Sequence, residues 1–305
     1  MIDRLELLLA LAREQHFGRA AEACGVSQQT LSAALKQLEE RMGVLLVRRG
    51  SRFQGFTPEG ECVLDWARRI VGDARAMQQE LRGFREGLSG HLRLATVPTA
   101  LPRIGTLTGP FMARHPAVRF TIHSATSAEI LLRLRDLEID AGITYLDNEP
   151  LGRVATLPLY DEHYCLLVAP DGALAGRASV SWAEAAALPL CLLTPDMQNR
   201  RIIDQHLGAG RRPPAVESNS VLLLLQQVRA GICASIMPSA FADAAGPGSV
   251  RCIPITEPAV THRIGLVVPQ RDPMLPSVAA LLRLAQGLAA EGAFNKEFLS
   301  THPST

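Results

Sequence analysis

The chain has 305 residues, room for about two domains at ~150 residues each and for a sizeable buried core. Hydrophobic residues make up 47% and charged residues 20%, with 24 Gly and 20 Pro, a composition that excludes wholesale disorder and fibrous repeats. The net charge is +1, so any nucleic-acid partner has to be held by a local patch and not by a global field.

Apolar runs such as Val221 to Leu225 fall far short of the ~20 residues that cross a bilayer, and Asp3, Arg4 and Glu6 interrupt the N-terminal leucines. A cytoplasmic chain with no membrane partner is expected. The six cysteines, Cys24, Cys62, Cys165, Cys191, Cys233 and Cys252, form no CxxC pair and no zinc-ligand spacing with histidine, so reduced thiols, no metal and no cofactor are expected. GxSxG, Walker, GxGxxG and HExxH motifs are missing and the histidines are scattered, which gives an enzyme reading no support.

In chain order, Leu5, Leu8, Leu9 and Ala12 predict an amphipathic helix ending near His16. A second, short helix follows, with Gly18 as its N-cap, Ala20 and Ala21 for close packing, and Gly25 for a turn that needs positive φ. Ser27 caps a third helix on which Leu31, Leu35, Leu38 and Met42 face inward and Gln29, Ser32, Ala33 and Lys36 outward; Gly43 ends it. Val44 to Phe56 reads as a two-stranded wing. A long helix starts at Thr57-Pro58 and carries Val63, Ala67, Ile70, Ala74, Met77, Leu81, Phe84 and Leu88 at alternating spacings of 4 and 3, the pattern of a helix-pairing seam. It ends at the linker Ser89-Gly90.

Beyond Gly90, short β-rich runs alternate with helices in two similar sets, 91–145 and 190–238. Long strand-like runs at His163 to Pro170 and Arg263 to Pro269 sit where the chain would cross between two halves and return, and Leu275 to Ala290 reads as a closing helix. The fold class is α/β. Residues 1–57 are a winged helix-turn-helix, 58–90 a linker helix and 91–292 a domain of two α/β lobes, lobe I about 91–166 and 266–292, lobe II about 167–265. A ligand cleft between the lobes is the expectation.

Between Ser27 and Arg52, five basic residues face only Glu39 and Glu40, and the outward face of a third helix suits the DNA major groove. The run Phe17, Ala20-Ala21, Ser27-Gln28, Leu31-Ser32, Leu38-Glu39, Gly43, Leu45, Arg48, Arg52, Thr57 and Gly60 resembles the DNA-binding region of LysR-type transcriptional regulators. Val228 to Pro238 is similar to part of that family's second lobe, and the resemblance extends along the whole chain. It implies a homodimer or homotetramer that binds double-stranded promoter DNA, answers to a small-molecule effector, acts mainly as an activator and works with RNA polymerase.

By the same resemblance, Gln28, Gln29, Thr30, Ser32 and Lys36 are the recognition-helix residues, and Arg48, Arg49 and Arg52 the wing or phosphate contacts. Gln29 stands where the family usually has Pro, and Ala33-Ala34 where polar pairs are common. The seam residues Ala67, Ile70, Ala74, Met77, Leu81, Phe84 and Leu88 are the expected dimerisation contacts. The implied effector site comprises Thr96, Val97, Pro98, Thr99, Ala100, Thr126, Ser127, Thr144 and Tyr145 from lobe I, with Met197, Gln198, Asn199, Asn219 and Ser220 from lobe II. These are mostly hydroxyl or amide residues at helix starts, without Lys, Asp or Glu, so the expected effector is a small carboxylate or inorganic oxyanion. Two other readings are a free solute-binding protein, disfavoured by the missing export signal and the N-terminal 90 residues, and redox sensing through a cysteine.

Overall fold

The computed structural model describes all residues except 49, 51, 52, 148, 149, 173, 209–211, 247 and 296–305. Two compact units result. One collects Met1–Ser89 with Arg135–Glu138 and Arg271–Pro276; the other collects Gly90–Leu134, Ile139–Gln270 and the chain from Ser277 onward.

The first unit opens with α1 (Ile2–Glu14), α2 (Phe17–Ala23) and α3 (Gln28–Met42). Helix α1 stops two residues earlier than its apolar pattern suggests, because Gln15 turns left-handed at φ 48°. The cap of α2 is His16 and not Gly18: its Nδ1 accepts from the backbone N–H of Gly18 at 3.1 Å and of Arg19 at 3.3 Å. Ser27 caps α3 by accepting from Thr30 N–H, and Gly43 ends it at φ 70°. Leu31, Leu35 and Leu38 are buried with Leu5, Leu8 and Leu11, whereas Met42, expected inside, is exposed at the helix end.

The wing is one antiparallel bridge, Val47 to Phe56, and not a ladder among the described residues. Side chains supply the rest of its ties. Glu39 Oε1 accepts from Leu46 N–H at 2.8 Å and Val47 N–H at 3.2 Å, and the Thr57 hydroxyl donates to Leu45 O at 2.6 Å while accepting from Gly60 N–H. Thr57 thus caps α4 (Pro58–Glu86). Leu64, Ala67 and Val71 of α4 are buried in this unit's core, so Ala67, expected on the pairing seam, packs within its own chain. Leu88, also placed on that seam, lies beyond the helix end at Gly87. Ile70, Met77, Leu81 and Phe84 remain exposed, Phe84 by 81%.

The second unit begins with β1 (Gly90–Thr96), a 3-10 turn (Pro98–Arg103), α5 (Ile104–Arg114), β2 (Val118–Ser124), α6 (Ser127–Arg135) and β3 (Ala141–Tyr145). Then come β4 (Val154–Val168), β5 (Val180–Ser181), α7 (Trp182–Ala186), β6 (Cys191–Leu193), α8 (Gln198–Leu207), β7 (Val216–Ser218), α9 (Val221–Arg229), β8 (Ser235–Pro238) and α10 (Ala240–Ala244). Finally β9 (Arg251–Glu257), β10 (Thr261–Pro269) and α11 (Pro276–Ala290) close it. The main sheet runs β2-β1-β3-β10-β4-β9-β5 with β8 also on β4, and β6 pairs β7 separately. Strands β5 and β9 and helices α7 and α10 carry no strong apolar period and escape a sequence reading.

Strand β4 begins nine residues before the run that signals it at His163. Val154 to His163 pair antiparallel with β10, and the last residues pair with β8 and β9. Within β4·β10 the register steps from Tyr160↔Ile264 to Pro158↔Gly265, leaving Leu159 as an extra residue. A bulge of this kind reverses which side chains face inward. Leu157 and Leu159 turn in before it; Tyr160, Glu162 and Tyr164 turn in after it, with Asp161 and His163 exposed.

Gly265 lies opposite the bulge, where an added Cβ would come 2.7 Å from Leu157 O and collide with the Leu146 side chain. Gly265→Ala should therefore lower stability by roughly 1–3 kcal/mol, read as an earlier urea midpoint with an unchanged slope. A wild-type midpoint would show that the bulge tolerates a side chain.

Candidate functional site

Two groups of expected residues lie in different surroundings. On α3, Gln28, Gln29, Thr30, Ser32 and Lys36 are all exposed on the face opposite Leu31, Leu35 and Leu38. The Thr30 hydroxyl shares a 2.8 Å hydrogen bond with Ser27 Oγ, and Lys36 Nζ sits 3.8 Å from Glu40, so Gln28, Gln29 and Ser32 carry the uncommitted polar groups of the first two turns. Arg48 is exposed, and its Nε donates to Phe56 O at 3.1 Å, which ties its guanidinium to the wing. Arg49 and Arg52 lie outside the described residues.

In the second unit, Thr96, Val97, Pro98, Thr99, Ala100, Thr126, Ser127, Thr144, Tyr145, Met197, Gln198 and Asn199 are buried, but Asn219 and Ser220 are exposed. Several are used up locally. Ser220 caps α9, Thr126 exchanges two hydrogen bonds with Glu129 at the start of α6, and Gln198 Oε1 accepts from Arg201. Arg200 is a buried clamp, bonded to Asp204, Glu217 and Leu193 O at 2.7, 2.5 and 2.8 Å. Ser127 Oγ and Thr144 Oγ1 are buried without a hydrogen-bond partner, as is Thr194 Oγ1, which no sequence pattern marks.

The center of the site is a residue that the sequence reading leaves out. Thr99 donates to the Tyr145 hydroxyl at 3.0 Å, and Tyr145 donates to Glu162 Oε1 at 2.6 Å; with one proton on the phenol, the direction of both bonds follows. Glu162 is 2% exposed. The expected positions themselves carry no acidic residue; the β4 bulge adds one beside them by turning Glu162 and Tyr164 inward on the same face. The alternation of Tyr160, Glu162 and Tyr164 with Asp161 and His163 is the signal that could have revealed them.

Burial pushes the Glu162 carboxyl up to about 7, although the hydroxyls of Tyr145, Thr99 and Tyr164 and the charge of Arg103 pull it back. Burial and the Glu162 charge together raise the phenols of Tyr145, Tyr160 and Tyr164 well above their usual range. The thiols are elsewhere. Cys191 and Cys165 are buried, Cys191 raised mainly by burial and Cys165 by its hydrogen bond with Cys252 and by burial. Cys62 is the exposed thiol. Among the described residues, no group of three or more His, Cys, Asp or Glu is placed to hold a metal, and no helix is long and apolar enough to cross a membrane.

Residues 2–61 match the model of the bacterial regulatory helix-turn-helix proteins of the lysR family, and residues 85–290 match that of the LysR substrate binding domain. The chain belongs to the LysR family. It is a LysR-type, DNA-binding transcription regulator and not an enzyme. The DNA-binding transcriptional dual regulator OxyR of Escherichia coli is 30% identical over 304 residues, covering 97% of each chain. A probable hydrogen peroxide-inducible genes activator of Mycobacterium avium is 31% identical over 274 residues, 87% of each chain. Among solved structures, a full-length OxyR variant from Pseudomonas aeruginosa superposes with a TM-score of 0.72 at 27% identity, over 95% of this chain and 97% of that one. The LysR fold of a helix-turn-helix followed by a two-lobed α/β domain is therefore established for this chain.

For this LysR-type chain, Glu162 predicts a pH dependence of stability. Its carboxyl titrates near 7 in the folded chain and near 4.5 when unfolded, so folding takes up a proton between these values, and stability falls as pH rises through that window. The loss is on the order of 3 kcal/mol, complete above about pH 7.5 and absent below about pH 4. Urea titrations at pH 5 and pH 8 should show Glu162→Gln removing this difference; an equal pH dependence in both proteins would contradict the assignment.

Proposed function

We propose that this LysR-type regulator is a cytoplasmic, homo-oligomeric activator that reads a two-half-site promoter with α3, touches phosphates through the wing, and responds to a small effector bound between its two lobes. The observation that carries this reading is the division of its polar residues. One set stands exposed on α3, with Gln28, Gln29 and Ser32 uncommitted, and the other is buried between segments of both lobes. Gln28, Gln29 and Ser32 fit base contacts; Lys36 and Arg48, with Arg49 and Arg52, fit phosphates. RNA polymerase is the partner an activator of this family requires.

The effector is drawn away from the carboxylate or oxyanion that the sequence suggested. An anion would meet the Glu162 carboxylate in a medium of low dielectric, and several relatives are named for induction by hydrogen peroxide. Those names also favour a second reading, oxidation of a thiol. Against it stand the burial of Cys165, Cys191 and Cys233 and their absence from the Glu162 cluster.

DNA recognition is tested by substitution. Gln28→Ala or Ser32→Ala should weaken the cognate duplex by roughly 1–3 kcal/mol and relax base preference at one position. Arg48→Ala should weaken all duplexes alike and reduce the salt slope by about 1. Fluorescence anisotropy over a salt series checks both, and unchanged affinity in all three variants would remove α3 and the wing from the interface.

Assembly is tested on α4. Met77, Leu81 and Phe84 are 55%, 58% and 81% exposed and follow a heptad seam, which buries such side chains only against a second helix. Leu81→Asp and Phe84→Asp should convert the oligomer to monomers in sedimentation velocity, with the far-UV spectrum unchanged. Sedimentation at the wild-type mass would refute the pairing role.

A further inference from the structure

The effector domain holds a set of buried polar atoms without partners, gathered from segments far apart in the sequence. Glu162 Oε2, the Tyr164 hydroxyl and both amide atoms of Asn199 make no well-formed hydrogen bond, although Tyr164 lies close enough to Glu162 and Asn199 to interact with both, and Glu162 and Asn199 are each 2% exposed. They are neighbours. Tyr145 bonds Glu162 directly, and Tyr145, Glu162 and Asn199 all act on the ionisation of Tyr164. The 3-10 turn contributes Thr99, β3 Tyr145, β4 Glu162 and Tyr164, and α8 Asn199.

A buried polar group without a partner destabilises a fold more than a typical hydrogen bond stabilises it. Residues kept for packing alone would satisfy one another, as Arg200 does with Asp204 and Glu217. Here the Thr99, Tyr145 and Glu162 chain is completed on one side and stops at Glu162 Oε2 on the other. We propose that Glu162 Oε2 is the acceptor by which the effector domain selects its ligand, and that the ligand is a small uncharged molecule bearing an O–H donor, a hydroperoxide or a hydroxyl compound. Tyr164 and Asn199 complete the cage around it.

The charges nearby argue for an uncharged ligand. Arg103 acts on Glu162 and packs its guanidinium 5.0 Å from the center of the Tyr160 ring, while donating to Phe294 O. A cation bound at Glu162 would face Arg103, and an anion would face Glu162 itself. An O–H group faces neither penalty and gains a charge-assisted hydrogen bond. The titratable groups around the carboxyl are Tyr145 on β3, Tyr160 and Tyr164 on β4, Arg103 on the turn, and His262, the cross-strand partner of Glu162 on β10, which lies 3.4 Å from Asp147.

This inference rests on the reading of the domain as an effector sensor, and its test separates the two. Thermal melts of the full-length chain at pH 8, where Glu162 is ionised, are followed with hydrogen peroxide, ethylene glycol, sodium acetate and methylammonium chloride as probes. At least one uncharged probe should raise Tm saturably and reversibly on its removal, and acetate and methylammonium should not. The hydroperoxide and hydroxyl sources are told apart by which of the two uncharged probes acts. In Glu162→Gln the unpaired acceptor becomes an N–H donor, so the midpoint for the uncharged probe should rise about tenfold or more while acetate begins to raise Tm. A packing role alone would not exchange one ligand class for the other.

The proposal is overturned if acetate stabilises the wild type at pH 8, if no uncharged probe does, or if Glu162→Gln keeps the wild-type preference. A peroxide shift that only dithiothreitol reverses overturns it too, in favour of thiol oxidation. Binding to promoter DNA is measured in parallel: loss there in the unsubstituted chain sinks the regulatory reading, while the probe series still decides the role of Glu162.

Discussion

The antiparallel pairing of β4 with β10 is the constraint on which the effector domain depends. Strand β4 spans 15 residues, and its two ends are bonded to different partners, β10 on one side of the domain and β8 with β9 on the other. The bulge at Leu159 then decides which of its residues face inward, because one extra residue exchanges the two faces of everything that follows. Tyr160, Glu162 and Tyr164 are inside for that reason, and Gly265 permits it by bringing no side chain against Leu157 O.

The DNA-binding unit achieves order by different means. Its wing has a single bridge, too little to be stable as a ribbon, and borrows its remaining hydrogen bonds from Glu39 on α3 and Thr57 at the start of α4. The wing is thus fastened to the two helices that flank it, one of which carries the candidate base contacts. Arg48 adds a third tie through Phe56 O. Helix α4 divides its own surface: Leu64, Ala67 and Val71 serve the chain's core, and Ile70, Met77, Leu81 and Phe84 are exposed.

Burial explains the chemistry of both candidate sensors. Around Glu162 it favours the neutral carboxyl, so a ligand of the proposed kind would compete with the proton for the same oxygen. At Cys191 it favours the thiol over the thiolate, the form that reacts with peroxide, and at Cys165 it adds to the hydrogen bond with Cys252, which acts the same way there and lowers Cys252 instead. The same physical term therefore weakens the case for Cys165 and Cys191 as reactive thiols, although relatives at about 30% identity are named for peroxide induction.

What the sequence determined by itself was local and periodic. Leu31, Leu35 and Leu38 at helical spacing, Ser27 as a cap and Gly43 at a left-handed end specify α3, since each acts within a few residues of itself. The βα alternation specifies a two-lobed domain, and Thr99, Ser127 and Asn199 were named as effector-site candidates only through the resemblance to the LysR family. Tertiary structure decided the rest. Ala67 and Ile70 belong to one apolar stripe in the sequence, yet only packing against α1 assigns the first to the core and leaves the second exposed. His16, and not Gly18, caps α2, because a side-chain nitrogen reached the free N–H groups first. Glu162 turns inward through a register shift against a strand about a hundred residues away, and a strand's own period fixes which residues share a face but never which face is inward.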